Sequence, residues 1–446
     1  MSTFVGIDVA KAAFVVAVRD ENGDLIVEHR RFETDEIGLK KFVGFLGDLE
    51  VKQGQVHLAV EASGNLHLNL ISYLLEATPD ILIYALNPLM VKRCAGVQLH
   101  RNHTDPADAK HVAWVLAHGW QNLHPWQHSP FVDRLRCLVH QRDRLIDDRI
   151  RGQNRLHALL NISFPEFTRV FRDPATPLAL HLLHQNPTAT HFVRRQRPAL
   201  AKQRPQGNGR HALGSQRADA LITLAKHSVA SACSQEDAMS LRMTVEQLQL
   251  LQRHILQIDQ RICSFFTEPN PATTSDQNTA PLPDDTDHKL RHELQLITSV
   301  PGIGIITGAA IMSRALDIAQ FESADAFSAF IGTCPHRFQT GTSRDTATLT
   351  SYAHRPTRAH LYMGTQSAIQ SFLPLRFYFQ RHLNNGLKYK QALAACMNRL
   401  IHWAYGVVKN DTPFNPQKII DTCRHEFPDE WNHFCLQHKA LQVNAA

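Results

Sequence analysis

The sequence predicts an α/β N-terminal domain followed by a long helical stalk and a mainly α C-terminal domain. Two patterns point there. Residues 1–125 carry three β-rich runs and then alternating helix and strand signals. Two later stretches, 128–165 and 238–266, carry the three-and-four apolar spacing of long packed helices.

In the first part, Thr3–Val9 and Phe14–Val18 are β-rich, and Leu25–Phe32 follows the turn signal Asn22-Gly23. A helix is expected over Ile37–Leu46, a strand over Val56–Val60, a helix over Leu66–Glu76 and a strand over Ile81–Ala85. Further helices start near Pro88 and Pro106. This predicts a mixed sheet covered by helices, in the element order of the ribonuclease H-like fold.

The next part, 126–268, reads as a helical stalk. Seven arginines (Arg134, Arg136, Arg142, Arg144, Arg149, Arg151, Arg155) are interleaved with Leu135, Leu138, Leu145, Ile146, Ile150, Leu156 and Leu159. Asp133, Asp143, Asp147 and Asp148 dilute that charge. The second long helix carries Leu248, Leu251, Ile255, Ile258, Ile262 and Phe265. The two helices pair as an antiparallel stalk, within one chain or between subunits. Between them, at about 165–235, lies an insertion with prolines and a basic cluster: Arg194, Arg195, Arg197, Lys202, Arg204, Arg210 and Arg217. Residues 269–289 have no periodic apolar signal and read as a flexible linker. A helical domain at 290–425 includes the stripe Tyr389, Leu393, Cys396, Leu400, Trp403 and Val407, and 426–446 form a tail.

Composition narrows the class. The 446 residues are 43% hydrophobic and 20% charged, enough apolar material for real cores, and the formal net charge of +6 is compatible with a polyanionic partner. Eight scattered cysteines form no C-x-x-C pair, so reduced thiols are expected rather than a zinc site or a disulfide framework. The first nine residues lack the pattern of a signal peptide, and no run reaches the roughly 20 apolar residues of a membrane span. The most apolar stretch, Leu296–Met312, is broken by Pro301 and three glycines and reads as a turn between helices. A cytoplasmic protein is expected. The 27 histidines show no H-E-x-x-H or comparable ligand spacing.

The most informative residues are acidic. Asp8 ends the first expected strand in Gly6-Ile7-Asp8-Val9-Ala10-Lys11, and Glu61 follows His57-Leu58-Ala59-Val60 at another strand end. Asp105 and Asp108 stand three apart at a helix start, on one helical face, with Pro106 suited to the first turn. Hard divalent cations take oxygen ligands of this kind, and two of them stabilise both oxygens of a phosphoryl transfer. Each residue alone has a plainer explanation: a helix N-cap for Asp105, a first-turn charge for Asp108, a turn residue for Asp8, a solvated edge for Glu61. As an ordered set at the ends of the right elements they favour a metal site.

With these residues in view, the chain resembles the insertion-sequence one-ten (IS110) transposases, related to Piv DNA invertases and including bridge-RNA-guided recombinases. The N-terminal match comprises Gly6 to Lys11, Glu61-Ala62-Ser63-Gly64, Asn87-Pro88, and Arg101 to Ala109. The C-terminal match comprises Pro301-Gly302-Ile303-Gly304, Phe327 to Gly332, Pro335-His336-Arg337 and Thr340-Gly341.

The resemblance implies that Asp8, Glu61, Asp105 and Asp108 are the acidic tetrad of a RuvC-type domain binding Mg2+ or Mn2+. It implies a serine nucleophile before a glycine in the C-terminal domain, a covalent DNA intermediate and an element-encoded guide RNA; since strand exchange must hold four strand ends together, a dimer or tetramer is expected, nucleoid-associated when acting. Here Thr340 stands where that serine belongs. Its β-branch restricts χ1 and crowds the hydroxyl. Three outcomes are open: Thr340 attacks, Thr342 or Ser343 replaces it, or this copy is impaired. A Thr-Gly turn without chemistry is the plain alternative. Arg337, Arg344, Arg355 and Arg358 surround that region and suit bidentate phosphate contacts. The Pro301–Gly304 turn is open to two readings, a backbone phosphate site or tight helix packing at small residues. The function expected is a DNA transposase or recombinase; the alternatives are a RuvC-type nuclease without covalent intermediate and a decayed, non-catalytic copy that binds nucleic acid.

Overall fold

A computed structural model describes residues 2–53, 55–62, 66–86, 88–97, 104–123, 125–126, 129–205, 212–230, 233–267, 284–315, 317–340, 344–349 and 354–437. They form two compact units, Met1–His128 and Ser129–Ala446.

The first unit contains strands β1 (Ser2–Val9), β2 (Ala13–Arg19), β3 (Leu25–Glu33), β4 (Gln55–Glu61) and β5 (Leu82–Leu86), with helices α1 (Glu36–Gln53), α2 (Leu66–Ala77), α3 (Pro88–Val97) and α4 (Asp105–Gly119). The sheet order is β3-β2-β1-β4-β5. β1 pairs antiparallel with β2, and β2 with β3; β1–β4 and β4–β5 are parallel. The mixed sheet expected from the sequence is therefore present. Its apolar strand runs reflect helices on both faces. Val5, Ile7, Phe14, Val16, Leu58 and Val60 face Phe42, Leu46, Leu70 and Leu74 of α1 and α2. Phe4, Ala59 and Tyr84 face Val91, Val112 and Leu116 of α3 and α4.

In the second unit, α5 (Pro130–Ser163) is a single 34-residue helix. Five helices follow: α6 (Phe167–Val170), α7 (Pro177–Gln185), α8 (Ala189–Val193), α9 (Arg197–Ala201) and α10 (Ser215–Lys226). α11 (Gln235–Thr267) then returns along α5. Leu145 packs with Leu251 and Ile255, Arg142 Nε lies 2.5 Å from Asp259 Oδ1, and a Cβ at Gly152 would stand 2.8 Å from Leu248. The two helices thus pair antiparallel within one chain. α6–α10 build their own core between them, around Phe164, Phe167, Leu180, Phe192 and Leu221.

The remaining elements are α12 (Asp284–Thr298), α13 (Ile305–Ala315), α14 (Ala324–Ile331), the hairpin β6 (Pro335–Thr340) and β7 (Arg344–Leu349), then α15 (Arg355–Ser371), α16 (Leu373–Asn384), α17 (Tyr389–Lys409), α18 (Pro416–Glu426) and α19 (Pro428–Gln437). Most helices share one core, including Ile297, Ile311, Phe327, Leu361, Leu393 and Leu400. The structure differs from the sequence expectation in three places. α12 begins at Asp284, inside the stretch read as linker, while 268–283 lie outside the described residues. α19 occupies part of the expected tail because Trp431 and Phe434 bury themselves against Phe377. The β6–β7 hairpin interrupts an otherwise helical region. All eight cysteines are free thiols. Among the described residues, no helix is long and apolar enough to cross a membrane.

Candidate active site

The acidic residues meet at one end of the sheet. Ile7 pairs with Val60 across parallel strands β1 and β4. One residue further along each strand come Asp8 and Glu61, so the backbone itself makes them neighbours. The other two arrive on α4, whose first turn carries both Asp105 and Asp108. α4 lies unusually close to the sheet. A Cβ at Gly6 would stand 2.1 Å from Ala113 N and 2.5 Å from Ala109 O, so only glycine fits there. The small pair Ala109 and Ala113 also packs on Val15 and Ala17. The helix cap is Thr104, not Asp105, which leaves the Asp105 side chain without the capping role that would otherwise explain it.

The electrostatics of the site follow from this placement. Burial pushes the Asp8 carboxyl up to about 6, and the charges of Asp108, Asp105 and Glu61 add to that rise. Burial also raises Glu61, again with help from Asp108, while Lys92 on α3 and His111 on α4 oppose it. His111 Nε2 lies 2.9 Å from the Val91 carbonyl, tying α4 to α3 beside the cluster. Lys92 and His111 were not singled out from the sequence. No local pattern marks them, because their relevance comes from the packing of α3 against α4. Among the described residues, no three or more His, Cys, Asp or Glu side chains are drawn together closely enough to hold a metal ion. Asp8 thus feels the charge of the other three carboxylates, and Glu61 that of Asp108, without the set being closed into a ligand shell.

Thr340 is the last residue of β6 and pairs with Arg344, the first of β7. Its side chain and residues 341–343 lie outside the described parts, as do the side chains of Arg337 and Arg344. Thr340 is in the second unit and the carboxylates are in the first. Arg355 and Arg358 sit in the first turn of α15. At the root of the hairpin, a cavity of about 890 Å³ opens between Pro335, Leu349, His382, Arg399 and Trp403.

Other basic residues have local engagements. In the stalk, Arg136, Arg142 and Arg151 pair with Asp133, Asp259 and Asp148. In the basic cluster, Arg195 donates to Asn186 Oδ1 at 2.7 Å, Arg197 pairs with Asp219 at 2.5 Å, and Arg217 lies over Phe171. Arg194, Lys202 and Arg204 are exposed; Arg210 lies outside the described residues. The Pro301–Gly304 turn is a packing device. Gly302 has φ +91°, and a Cβ at Gly364 on α15 would stand 2.1 Å from the Gly302 carbonyl oxygen.

Comparison with known proteins agrees with this layout. The transposase model DEDD_Tnp_IS110 matches residues 5–165, a stretch that contains all four carboxylates. The model described as transposase IS116/IS110/IS902 family matches residues 294–379, which contain Thr340. An uncharacterized protein of insertion element IS116 from Streptomyces clavuligerus is 25% identical over 423 residues, covering 93% of this chain and 96% of its own. An uncharacterized protein of insertion element IS900 from Mycobacterium paratuberculosis is 22% identical, covering 93% and 97%. A pilin gene-inverting protein of Moraxella bovis is 26% identical over 135 residues, 28% of this chain and 40% of its own.

Proposed function

Because the chain belongs to the IS110 transposase family, we propose that it cuts and rejoins DNA strands through a metal-assisted, covalent reaction shared between its acidic cluster and Thr340. The observation that carries the reading is the gathering of Asp8, Glu61, Asp105 and Asp108 at one sheet end, where burial first and then the other three charges raise the Asp8 carboxyl. Like charges held together at a half-buried strand end call for a cation. The strand order β3-β2-β1-β4-β5, with its antiparallel first three strands, supports the ribonuclease H-like, RuvC-type reading of this unit.

The donor chemistry suits Mg2+ or Mn2+, being all oxygen and anionic, and the carboxylates would have to draw closer than they stand to close on the ion. Asp8, Glu61, Asp105 and Asp108 would hold the ion, and when bound it supplies positive charge to the scissile phosphate. Lys92 and His111 temper the charge of Glu61 beside it. The Thr340 hydroxyl attacks phosphorus, and an O–P bond forms to threonine. The bond to the departing strand end breaks, and that oxygen leaves as a hydroxyl after taking a proton. Attack by a different strand end reverses the step, so the phosphodiester energy is retained. Exchange involves four strand ends, which supports a dimer or tetramer as the working form. The exposed Arg194, Lys202 and Arg204 support contact with a nucleic-acid backbone. An element-encoded guide RNA is the partner that the family resemblance adds to the DNA.

A covalent-trapping assay tests this. The protein, with RNA transcribed from DNA flanking the gene, is incubated with Mg2+ and labelled element-end DNA, then resolved under denaturing conditions. Wild type and Thr340→Ser give a protein–DNA adduct, and Thr340→Ala gives none. An adduct only in the serine variant marks this copy as impaired at the nucleophile. Metal-dependent cleavage without any adduct moves the protein to the RuvC-type nucleases. Binding with neither cleavage nor adduct marks a decayed copy.

A further inference from the structure

A second cluster of titratable groups lies in the second unit, and its charge has the opposite sign. One face of α5 presents Arg136, His140, Asp143 and Arg144, spaced by three and four residues. α13 brings Arg314 to the same place, and α15 brings His354 as its N-cap together with His360. The His140 and His354 rings are 6.0 Å apart. Arg136 Nε donates to the Ser313 carbonyl at 2.9 Å, one residue before Arg314. The cluster is therefore stitched together across three helices from distant parts of the chain.

Among the described residues its charges do not balance. Asp133 pairs with Arg136, and Asp143 lies 2.9 Å from His360. Arg314 lies over the face of Phe330 and, among the described residues, makes no ion pair. Burial lowers the proton affinity of His140, His354 and Arg314. The neighbouring arginines lower it further, with Asp143 opposing them at the two histidines. His140 and Arg314 nevertheless remain open to solvent on one side. The His354 side chain accepts from Thr357 N, which holds its ring at the positive end of α15. An anion beside His140, Arg314 and His354 would offset the repulsion among these cations.

We propose that the cluster of His140, Arg314 and His354, backed by Arg136, binds a phosphate group of the DNA backbone. The proposal rests on the reading of this chain as a DNA-cutting enzyme and assigns it a phosphate contact outside the acidic cluster and apart from Thr340. The site is built of side chains from α5, α13 and α15, so it forms only when the stalk and the C-terminal helices are packed together.

The test uses the full chain and a fluorescently labelled DNA duplex of arbitrary sequence, titrated over a range of salt concentrations without added metal. Arg314→Gln keeps the side-chain stem, and His354→Asn keeps a good N-cap while removing the ring. Each is expected to weaken binding on the order of tenfold, and Arg314→Gln lowers the salt slope by about one released ion. Arg424→Gln removes an equal charge from an exposed pair with Asp421 elsewhere and serves as control. Inorganic phosphate is expected to compete with DNA for wild type and less for Arg314→Gln. Thermal unfolding verifies that each variant is folded. If wild type binds DNA and both folded variants match it in affinity and slope, the site is wrong while the broader reading stands. If wild type binds no DNA, both fall. If the variants lose affinity for an RNA duplex and keep it for DNA, the assignment to DNA is overturned.

Discussion

Gly6 on β1 and Ala113 on α4 approach so closely that a Cβ on the glycine would stand 2.1 Å from the alanine nitrogen. This contact sets how near the first turn of α4, with Asp105 and Asp108, lies to the strand ends that carry Asp8 and Glu61. Gly6→Ala must push the helix outward, because the clashing atoms are backbone. The expected cost is about 1–3 kcal/mol of stability. Strand cleavage falls on the order of 100-fold, because even a 1 Å displacement of reacting groups is that damaging. Thermal unfolding and a cleavage assay on the same preparation check both effects.

Asp8→Asn removes the charge that three other carboxylates oppose. The fold without cation gains on the order of 1 kcal/mol, after allowance for solvent screening of a half-buried group. Mn2+ binding measured by calorimetry is lost at the same time, and DNA binding in the absence of metal is retained. A variant that binds Mn2+ as tightly as wild type would contradict the assignment of Asp8 as a ligand.

Glu293 predicts a pH dependence in the second unit. It is 3% exposed, and its Oε2 accepts from Ile318 N at 3.1 Å. Its other oxygen is buried, 3.8 Å from Lys289 Nζ. Burial and the Asp317 charge push its carboxyl from 4.5 up to about 8. The folded state therefore holds a proton that the unfolded state gives up earlier. Glu293 contributes best below 4.5, and its contribution is lost as pH rises from 4.5 to about 8. Glu293→Gln, which mimics the protonated form, is expected to flatten the fall in stability over that window. At pH 8 it stabilises the protein by on the order of 1 kcal/mol. Denaturant unfolding at several pH values reads this directly.

Gly364→Ala tests the role of the Pro301–Gly304 turn. The added Cβ would meet the Gly302 carbonyl oxygen at 2.1 Å, with no flexible side chain available to yield. A loss of about 2 kcal/mol or more is expected, seen as a lower midpoint in chemical unfolding. Full stability in this variant would return the turn to the phosphate-binding reading.

The acidic residues were legible because their signal is local. A carboxylate at the end of an apolar strand, or two of them a helical turn apart, shows in a few consecutive residues, as with Asp8, Glu61, Asp105 and Asp108. The long helices α5 and α11 were legible for a related reason, since 33 or more residues repeat one apolar spacing many times. The helices α6–α10 were missed because most are too short, four to twelve residues, for periodicity to accumulate. The β6–β7 hairpin escaped because Pro335–Thr340 and Arg344–Leu349 lack a strict alternation of apolar and polar residues.

By itself the sequence determined the mixed sheet, the two long helices, the order of the four carboxylates, and the threonine standing where the family resemblance places a serine. Each follows from spacing along the chain. Only the tertiary structure decided that Gly6 sets the height of α4, that Lys92 and His111 flank Glu61, that Gly302 packs on Gly364, and that His140, Arg314 and His354 meet. Those residues lie tens to hundreds of positions apart, and what brings them together is the burial of apolar faces on helices and strands that carry them. That burial is a property of the folded packing, and no short window of sequence displays it.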